Sequence, residues 1–364
     1  MKIIKFKYSD PPGQINGWHF DPVQFHAVSL IVGRSGMGKS RLLNTIENFF
    51  VRVNNLRPIL GGCKWEVTLE LSSGQYEWIV DMQNGEVTME KFSKVNGAVI
   101  YSNINGVVIF NGDVQKHINK KSSFLEIFDS DVINEVKIGI KKFVRRNFHG
   151  PDLSAQTTSY HVGLLSDKQY QDQVILHQGV PIIKRLMQLR NKSSVLFSKF
   201  KADVIEMLPN FTDVIFSVDN SLATEGSDLT FQTVAFKEQG VPQYIPLREL
   251  SSGMQKVILF LTDIHTLPEG TIYLIDELEN SLGDNIIDKI PHLFYSNASK
   301  MQFIITTHHP YIINSIPIED WIIFLRKGSR VQITQGDSLG DSFKLSKHDA
   351  FVKLQNIEAY GTLN

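Results

Sequence analysis

Between residues 27 and 52 the chain runs from a largely apolar stretch, Ala27-Val28-Ser29-Leu30-Ile31-Val32, through Gly33-Arg34-Ser35-Gly36-Met37-Gly38-Lys39-Ser40, into a segment whose apolar residues recur at three- and four-residue spacing. This passage constrains the fold more than any other. Strand, glycine loop and helix in that order are the setting in which G-x-x-x-x-G-K-S cradles phosphate groups. The backbone N–H groups of Ser35, Gly36, Met37, Gly38 and Lys39 would wrap the phosphates, helped by the positive end of the following helix. Lys39 would reach the β and γ phosphates and Ser40 would ligate Mg²⁺, with Gly33 and Arg41 completing the nucleotide-binding set.

Three later segments fit the same chemistry. Thr271-Ile272-Tyr273-Leu274-Ile275 reads as a buried strand delivering Asp276 and Glu277 at its C-terminal end, where open α/β sheets bind ligands. Asp276 would hold Mg²⁺ through water, and Glu277 would take a proton from attacking water, with Glu279 as a rival acid. Leu250-Ser251-Ser252-Gly253-Met254-Gln255 runs into the apolar Val257 to Leu261, so Ser252 and Gly253 stand at a helix start that could hold an anion. Plain helix capping is the simpler alternative for that run. Phe303 to Thr306 is a second buried strand, followed by Thr307-His308-His309-Pro310, where His308 could sense or polarise a γ phosphate. A zinc site at His308 and His309 is disfavoured, because adjacent side chains point apart and no cysteine lies near.

Between these ends, 64–111 reads as a meander of strands punctuated by Ser72-Ser73-Gly74, Asn84-Gly85 and Asn105-Gly106. Residues 123–207 read as mainly helical, with a loop over 149–162 and a long periodic stretch from Val180 to Leu208. Strand-like runs follow at 213–218, 228–236 and 243–247, and two edge-like strands at 321–326 and 329–334 close the fold. The fold class expected is α/β: a split phosphate-loop core sheet with an antiparallel meander. Its halves would be 1–117 and 248–364, with a mainly helical lobe and following strands inserted over 118–247.

Composition excludes little but helps. With 42% hydrophobic residues and a formal net charge of -1, the chain can bury a core and has no global bias toward nucleic acid or membrane. The single cysteine, Cys63, cannot form an internal disulfide or a multi-cysteine zinc site and suits a reducing cytoplasm. The N-terminus lacks a signal peptide's apolar core of about 7–15 residues, and no run approaches the about 18 apolar residues of a membrane span.

Taken in order, these motifs resemble the ABC-class ATPases, in the soluble branch that contains the RecF, Rad50/SMC head and OLD-like proteins. Gly33 to Ser40 resembles Walker A, Leu250 to Gln255 the signature motif, and Ile272 to Glu277 Walker B. Glu279-Asn280-Ser281-Leu282 is similar to the approach to the D-loop, and Thr306 to Pro310 to the switch-histidine segment. Gly283-Asp284 departs from the His-Pro that often follows there. The resemblance implies ATP and Mg²⁺ as ligands and a head-to-tail dimer. In such a dimer Ser252 and Gly253 of one subunit complete the other's site, and Glu277 is the base. It implies Gln115, or less well Gln75, as the Q-loop glutamine, and Tyr8, Trp18 or Phe20 as the aromatic that stacks on adenine.

Three activities fit such a switch. An insert too short for a long coiled coil, and a C-terminal stretch too short for a fused nuclease, suggest an effector acting in trans. The ATPase subunits of PARIS-type and Septu-type anti-phage systems, paired with a separate nuclease, are the nearest analogy. A RecF-like DNA-binding ATPase is the second reading, carried by Ile140 to Phe148 with Lys141, Lys142, Arg145 and Arg146, and by Lys184, Arg185, Arg190 and Lys192. A transporter subunit is the third, weakened by the strands that precede Leu250.

Overall fold

In the computed structural model the described residues are 1–11, 17–55, 62–84, 86–115, 123–147, 160–161, 180–218, 231–280 and 282–338. The loop expected over 149–162 therefore lies almost wholly outside them. The chain divides into two units. The first comprises Met1–Arg145, Gly270–Asp276 and the residues from Ala298 onward; the second comprises Arg146–Glu269 and Glu277–Asn297.

The elements follow in chain order. Strands β1 (Lys2–Ser9), β2 (His19–Gln24) and β3 (Val28–Val32) lead to helix α1 (Lys39–Asn55). The meander is β4 (Cys63–Leu71), β5 (Gly74–Gln83), β6 (Glu86–Lys94), β7 (Val99–Ile104), β8 (Val107–Phe110) and β9 (Asp113–Gln115). Helices α2 (Phe124–Ile127) and α3 (Asp131–Lys141) precede β10 (Phe143–Asn147) and β11 (Tyr160–His161). Helices α4 (Ile182–Lys192) and α5 (Ser194–Met207) lead to β12 (Phe211–Val218), β13 (Phe231–Glu238) and β14 (Tyr244–Pro246). Then come α6 (Ser252–Thr266), β15 (Thr271–Asp276), α7 (Asp284–Ile287), α8 (Ile290–Asn297), β16 (Met301–Thr306), α9 (Pro310–Ser315), β17 (Trp321–Lys327) and β18 (Arg330–Gln335).

One fourteen-stranded sheet underlies the first unit, in the order β10-β15-β16-β3-β17-β18-β2-β1-β4-β5-β6-β7-β8-β9. Its core strands β3, β15 and β16 are buried at every residue, as parallel strands covered on both faces must be. They run parallel in register, Ile275 opposite Ile305 and Thr306 opposite Ile31, so their C-terminal ends share one edge. In β4 the pattern changes to strict alternation: Cys63, Trp65, Val67, Leu69 and Leu71 point inward and the residues between them outward. Helix α1 packs on that inner face through Phe49, whose ring lies 5.0 Å from Trp78 and 5.8 Å from Trp65. Burying such a ring contributes about 1.5–3 kcal/mol.

Two expectations change here. Strand β17 is not an edge: it pairs parallel to β3, Ile322 opposite Ile31, and Trp321 to Phe324 are all buried. Residues 143–147 form a strand rather than continuing a helix; Lys142 ends α3, and β10 joins β15.

The second unit combines helices with strands among its described residues. It holds a four-stranded antiparallel sheet, β11-β13-β12 with β14 on β13, beside α4, α5 and α6. The periodic stretch from Val180 to Leu208 is two helices. Ser193 breaks it in an extended conformation, and its hydroxyl caps α5 by accepting from the Leu196 N–H at 3.3 Å. Helix α6 falls in this unit, whereas the expected boundary at 248 grouped it with the core.

Candidate nucleotide site

The buried strand β3 ends at Val32, and Gly33 turns the chain with φ 151°. A side chain at position 33 would meet the Phe324 carbonyl oxygen of β17 at 2.9 Å, so glycine is required by packing. Gly36 and Gly38 adopt φ 81° and 98°, the left-handed region that glycine enters without a Cβ clash. Position 38 is doubly restricted: a Cβ there would lie 2.4 Å from Cζ3 of Trp18. Lys39 is buried, and its Nζ folds back to donate to the carbonyls of Gly33 at 2.6 Å and Arg34 at 3.0 Å.

Because β3, β15 and β16 end together, Ser40 at the start of α1 meets Asp276. The Ser40 hydroxyl donates to Asp276 Oδ1 at 3.0 Å, and Thr306 Oγ1 donates to the same oxygen at 2.7 Å. On the other carboxylate oxygen, Arg145 donates from Nη2 at 3.3 Å; its Nη1 binds Glu47 at 2.6 Å and also Asn44. His308 is exposed and leaves β16 two residues past the Thr306–Ile31 pair, level with Gly33 leaving β3.

A hydroxyl and a carboxylate in contact, beside backbone that can hold phosphates, suit a hard cation such as Mg²⁺. That ion takes one or two protein oxygens and draws the rest from phosphate and water. The described residues contain no cluster of three or more His, Cys, Asp or Glu, so the oxygen pair Ser40 and Asp276 is what they offer such an ion.

Glu277 opens the turn after β15 with φ 48°, a left-handed conformation unusual for a non-glycine residue and frequent at functional positions. Its Oε2 accepts from Asn280 Nδ2 at 2.7 Å, so the carboxylate is held by its own turn. The chain from Leu278 to Asn280 is turned rather than helical, and Gly283 caps the short α7 in extended conformation, φ -79° and ψ 152°.

At the start of α6, Ser251 is the cap: its hydroxyl accepts from the Met254 N–H at 3.4 Å. Ser252 is the first helical residue and exposed, and Gly253 is buried. Gln255 anchors the approach, its Nε2 donating to the carbonyls of Leu247 at 3.1 Å and Arg248 at 2.9 Å.

Of the three aromatic candidates, Tyr8 and Phe20 are buried, whereas Trp18 is half-buried beside the loop. Asp10 orients Trp18. Its Oδ2 accepts from the Trp18 N–H at 2.7 Å and from Arg41 at 3.4 Å, while Oδ1 accepts from the Tyr8 hydroxyl at 2.5 Å. The Arg326 guanidinium lies 3.8 Å from the centre of the Trp18 ring, a stacking distance, and donates to the Gly36 carbonyl at 3.2 Å. Nothing in the sequence marks Asp10 or Arg326 for this site, and Arg145 stood out only as part of a basic run. They belong to no motif, and only sheet order brings them to the loop.

Two expected positions are corrected. Gln115 ends β9 at the far edge of the sheet, with nine strands between it and β3, and its amide donates to the Asp113 carbonyl in the same strand. Hairpins β7–β8–β9 carry it outward, so it does not join the loop. Three arginines of the basic patch also turn inward, while Lys141, Arg190 and Lys192 stay exposed. Arg145 is spent on Asp276 and Glu47, and Arg146 grips Asp263 with Nε at 2.8 Å and Nη2 at 2.9 Å. Arg185 binds the same aspartate, and all three arginines are buried. Buried carboxylates pull these side chains inward, because an unpaired interior charge is costly.

Comparison with known proteins bears on the whole arrangement. A family profile matches residues 28–314: AAA_21, described as an AAA domain of AbiEii-toxin type, Type IV TA system. No curated protein matches the chain. Among solved structures, an SMC head bound to the C-winged helix domain of ScpA aligns with TM-score 0.50 at 11% identity, over 92% of this chain and 98% of that one. The SMC head domain from Thermotoga maritima aligns with TM-score 0.45 at 13% identity, over 92% and 99%. An SMC head with an extended coiled coil, bound to the C-terminal domain of ScpA from Pyrococcus furiosus, aligns with TM-score 0.47 at 10% identity, over 98% and 99%. The chain belongs to the AAA_21 family, and its fold is that of an SMC-like ATPase head.

Proposed function

We propose that this ATPase binds MgATP at the Gly33–Ser40 loop, closes into a dimer around it, and switches a separate effector by hydrolysing it. The contact between Ser40 and Asp276 at 3.0 Å carries the reading, since it pairs the two oxygen ligands expected of the metal at the mouth of the phosphate loop. Lys39 would exchange its two carbonyl partners for phosphate oxygens. Bound Mg²⁺ supplies charge neutralisation at the β and γ phosphates. Glu277 accepts the proton of the attacking water, and His308 faces the γ phosphate. Trp18 stacks on the base. Ser252 and Gly253, with the exposed first turn of α6, serve the partner's nucleotide.

The effector in trans would be a nuclease, by analogy with PARIS-type or Septu-type defence; the family's description as an AbiEii toxin of a Type IV TA system supports a role beside a second component, without naming its activity. The experiment is Glu277→Gln with excess ATP: a stable dimer in analytical ultracentrifugation is expected, and a strict monomer at all concentrations overturns the sandwich. For the effector, co-expression with the adjacent gene product should protect cells from phage only while Lys39 is intact. The RecF-like alternative rests on fewer residues than expected, because Arg145, Arg146 and Arg185 are buried in ion pairs, which leaves it the exposed Lys141, Arg190 and Lys192. Salt-dependent DNA binding that survives their substitution would restore it through another surface.

A further inference from the structure

Lys256 lies one helical turn past Ser252 on α6, and it is 2% exposed. A buried ammonium needs partners, because desolvating it is costly. Its Nζ donates to the carbonyls of Leu278 at 2.6 Å and Asn280 at 2.7 Å. Those carbonyls belong to the turn that begins at Glu277. The same turn is closed internally by the Asn280 side chain on the Glu277 carboxylate at 2.7 Å and by the Asn280 N–H on the Glu277 carbonyl at 3.1 Å. The neighbouring side chain, Gln255, bonds in the opposite chain direction to Leu247 and Arg248. One turn of α6 is thus fastened to the segment before the serine–glycine end and to the segment bearing the carboxylate.

We propose that Lys256 is a positioning residue that couples the Ser252–Gly253 end of α6 to the geometry of Glu277. Engagement of that end by phosphate, displacing the helix by a fraction of an ångström, would move two carbonyls that frame Glu277. In a dimer this links a subunit's contact with its partner's nucleotide to the readiness of its own base. The inference rests on the reading of Glu277 as base given above. An apolar residue would fill the same interior more cheaply, as the replacement of buried ionic groups elsewhere shows. The two backbone acceptors are what the ammonium adds.

The experiment is a double-mutant cycle of Lys256→Met and Glu277→Gln, read by single-turnover hydrolysis and by titration with a fluorescent ATP analogue. In the Glu277 background, Lys256→Met is expected to lower the hydrolysis rate about tenfold while shifting nucleotide affinity less than about twofold. In the Glu277→Gln background it should lower the residual rate no further, because the base it positions is gone. Equal losses in both backgrounds would mark a merely structural strut and overturn the proposal, as would an unchanged rate in the first. Should Lys256→Met not fold, the same cycle with Lys256→Arg applies, which keeps the charge but alters the reach. A Glu277→Gln variant that hydrolyses normally would instead refute the assignment of the base, whatever Lys256 does.

Discussion

Gly38 shows how closely the loop is specified at the residue scale. Its φ of 98° excludes most side chains, and the indole of Trp18 fills the space where a Cβ would go. Gly38→Ala is therefore expected to abolish nucleotide binding and to destabilise the fold by about 1–2 kcal/mol for the left-handed backbone alone. Thermal unfolding and nucleotide titration measure the two effects. Trp18 offers its own readout. Of the four tryptophans, Trp65, Trp78 and Trp321 are buried, which leaves Trp18 as the one that solvent and ligand can reach. Nucleotide should change the intrinsic fluorescence of the protein, and Trp18→Phe should remove that change; a response that persists would place the base elsewhere. Arg326→Ala should expose the indole, raising its quenching by acrylamide in the absence of nucleotide. Residues inside motifs were legible because each motif states its own chemistry. Trp18 could only be narrowed to one of three aromatics, and Arg326 was invisible, because their meeting depends on β18 lying between β17 and β2.

At the scale of elements, the meander holds a titratable group in its interior. Glu90 of β6 is buried, accepting from Trp78 Nε1 at 3.1 Å. Burial pushes its carboxyl up to about 7, against the lowering effect of hydrogen bonds from Trp78 and Tyr101. The folded state thus holds this proton more tightly than the unfolded chain, whose glutamate titrates near 4.5. The stabilising contribution is complete below that value and is lost as pH rises to about 7. Chemical denaturation should show stability falling across this window, and Glu90→Gln should flatten the fall. Alternation and turn residues made these strands legible: Asn84 and Asn105 take the left-handed turn conformations that their sequence neighbours suggest. Strand β10 was not legible, since Phe143-Val144-Arg145-Arg146 follows a helix without a glycine or proline to mark the change. Helix α6 was legible as a helix, yet its ties through Gln255 and Lys256 were not, because their acceptors are backbone carbonyls that no sequence pattern advertises.

For the whole molecule, the proposed sandwich makes assembly depend on mass action. With Glu277→Gln and saturating MgATP, the dimer fraction should rise with protein concentration, and Ser252→Arg should abolish it by placing bulk and charge at the helix start. Sedimentation of the two variants, alone and mixed with a Lys39→Ala subunit, would show whether each site needs both chains. The order of the core strands could not be read from hydropathy, because β3, β15, β16 and β17 all appear as short apolar runs that any order would bury equally well.

That order has a consequence for how the protein is made. Strand β3 carries the phosphate loop, and its two neighbours, β16 and β17, begin only at Met301 and Trp321. During synthesis the loop's strand must wait, both edges open, until the chain as far as Met301 and Trp321 has been translated. Such distant pairings fold slowly and leave apolar strand exposed. A ribosome-stalled chain released before Met301 should bind no nucleotide and should be held by chaperones, however intact its Gly33–Ser40 sequence.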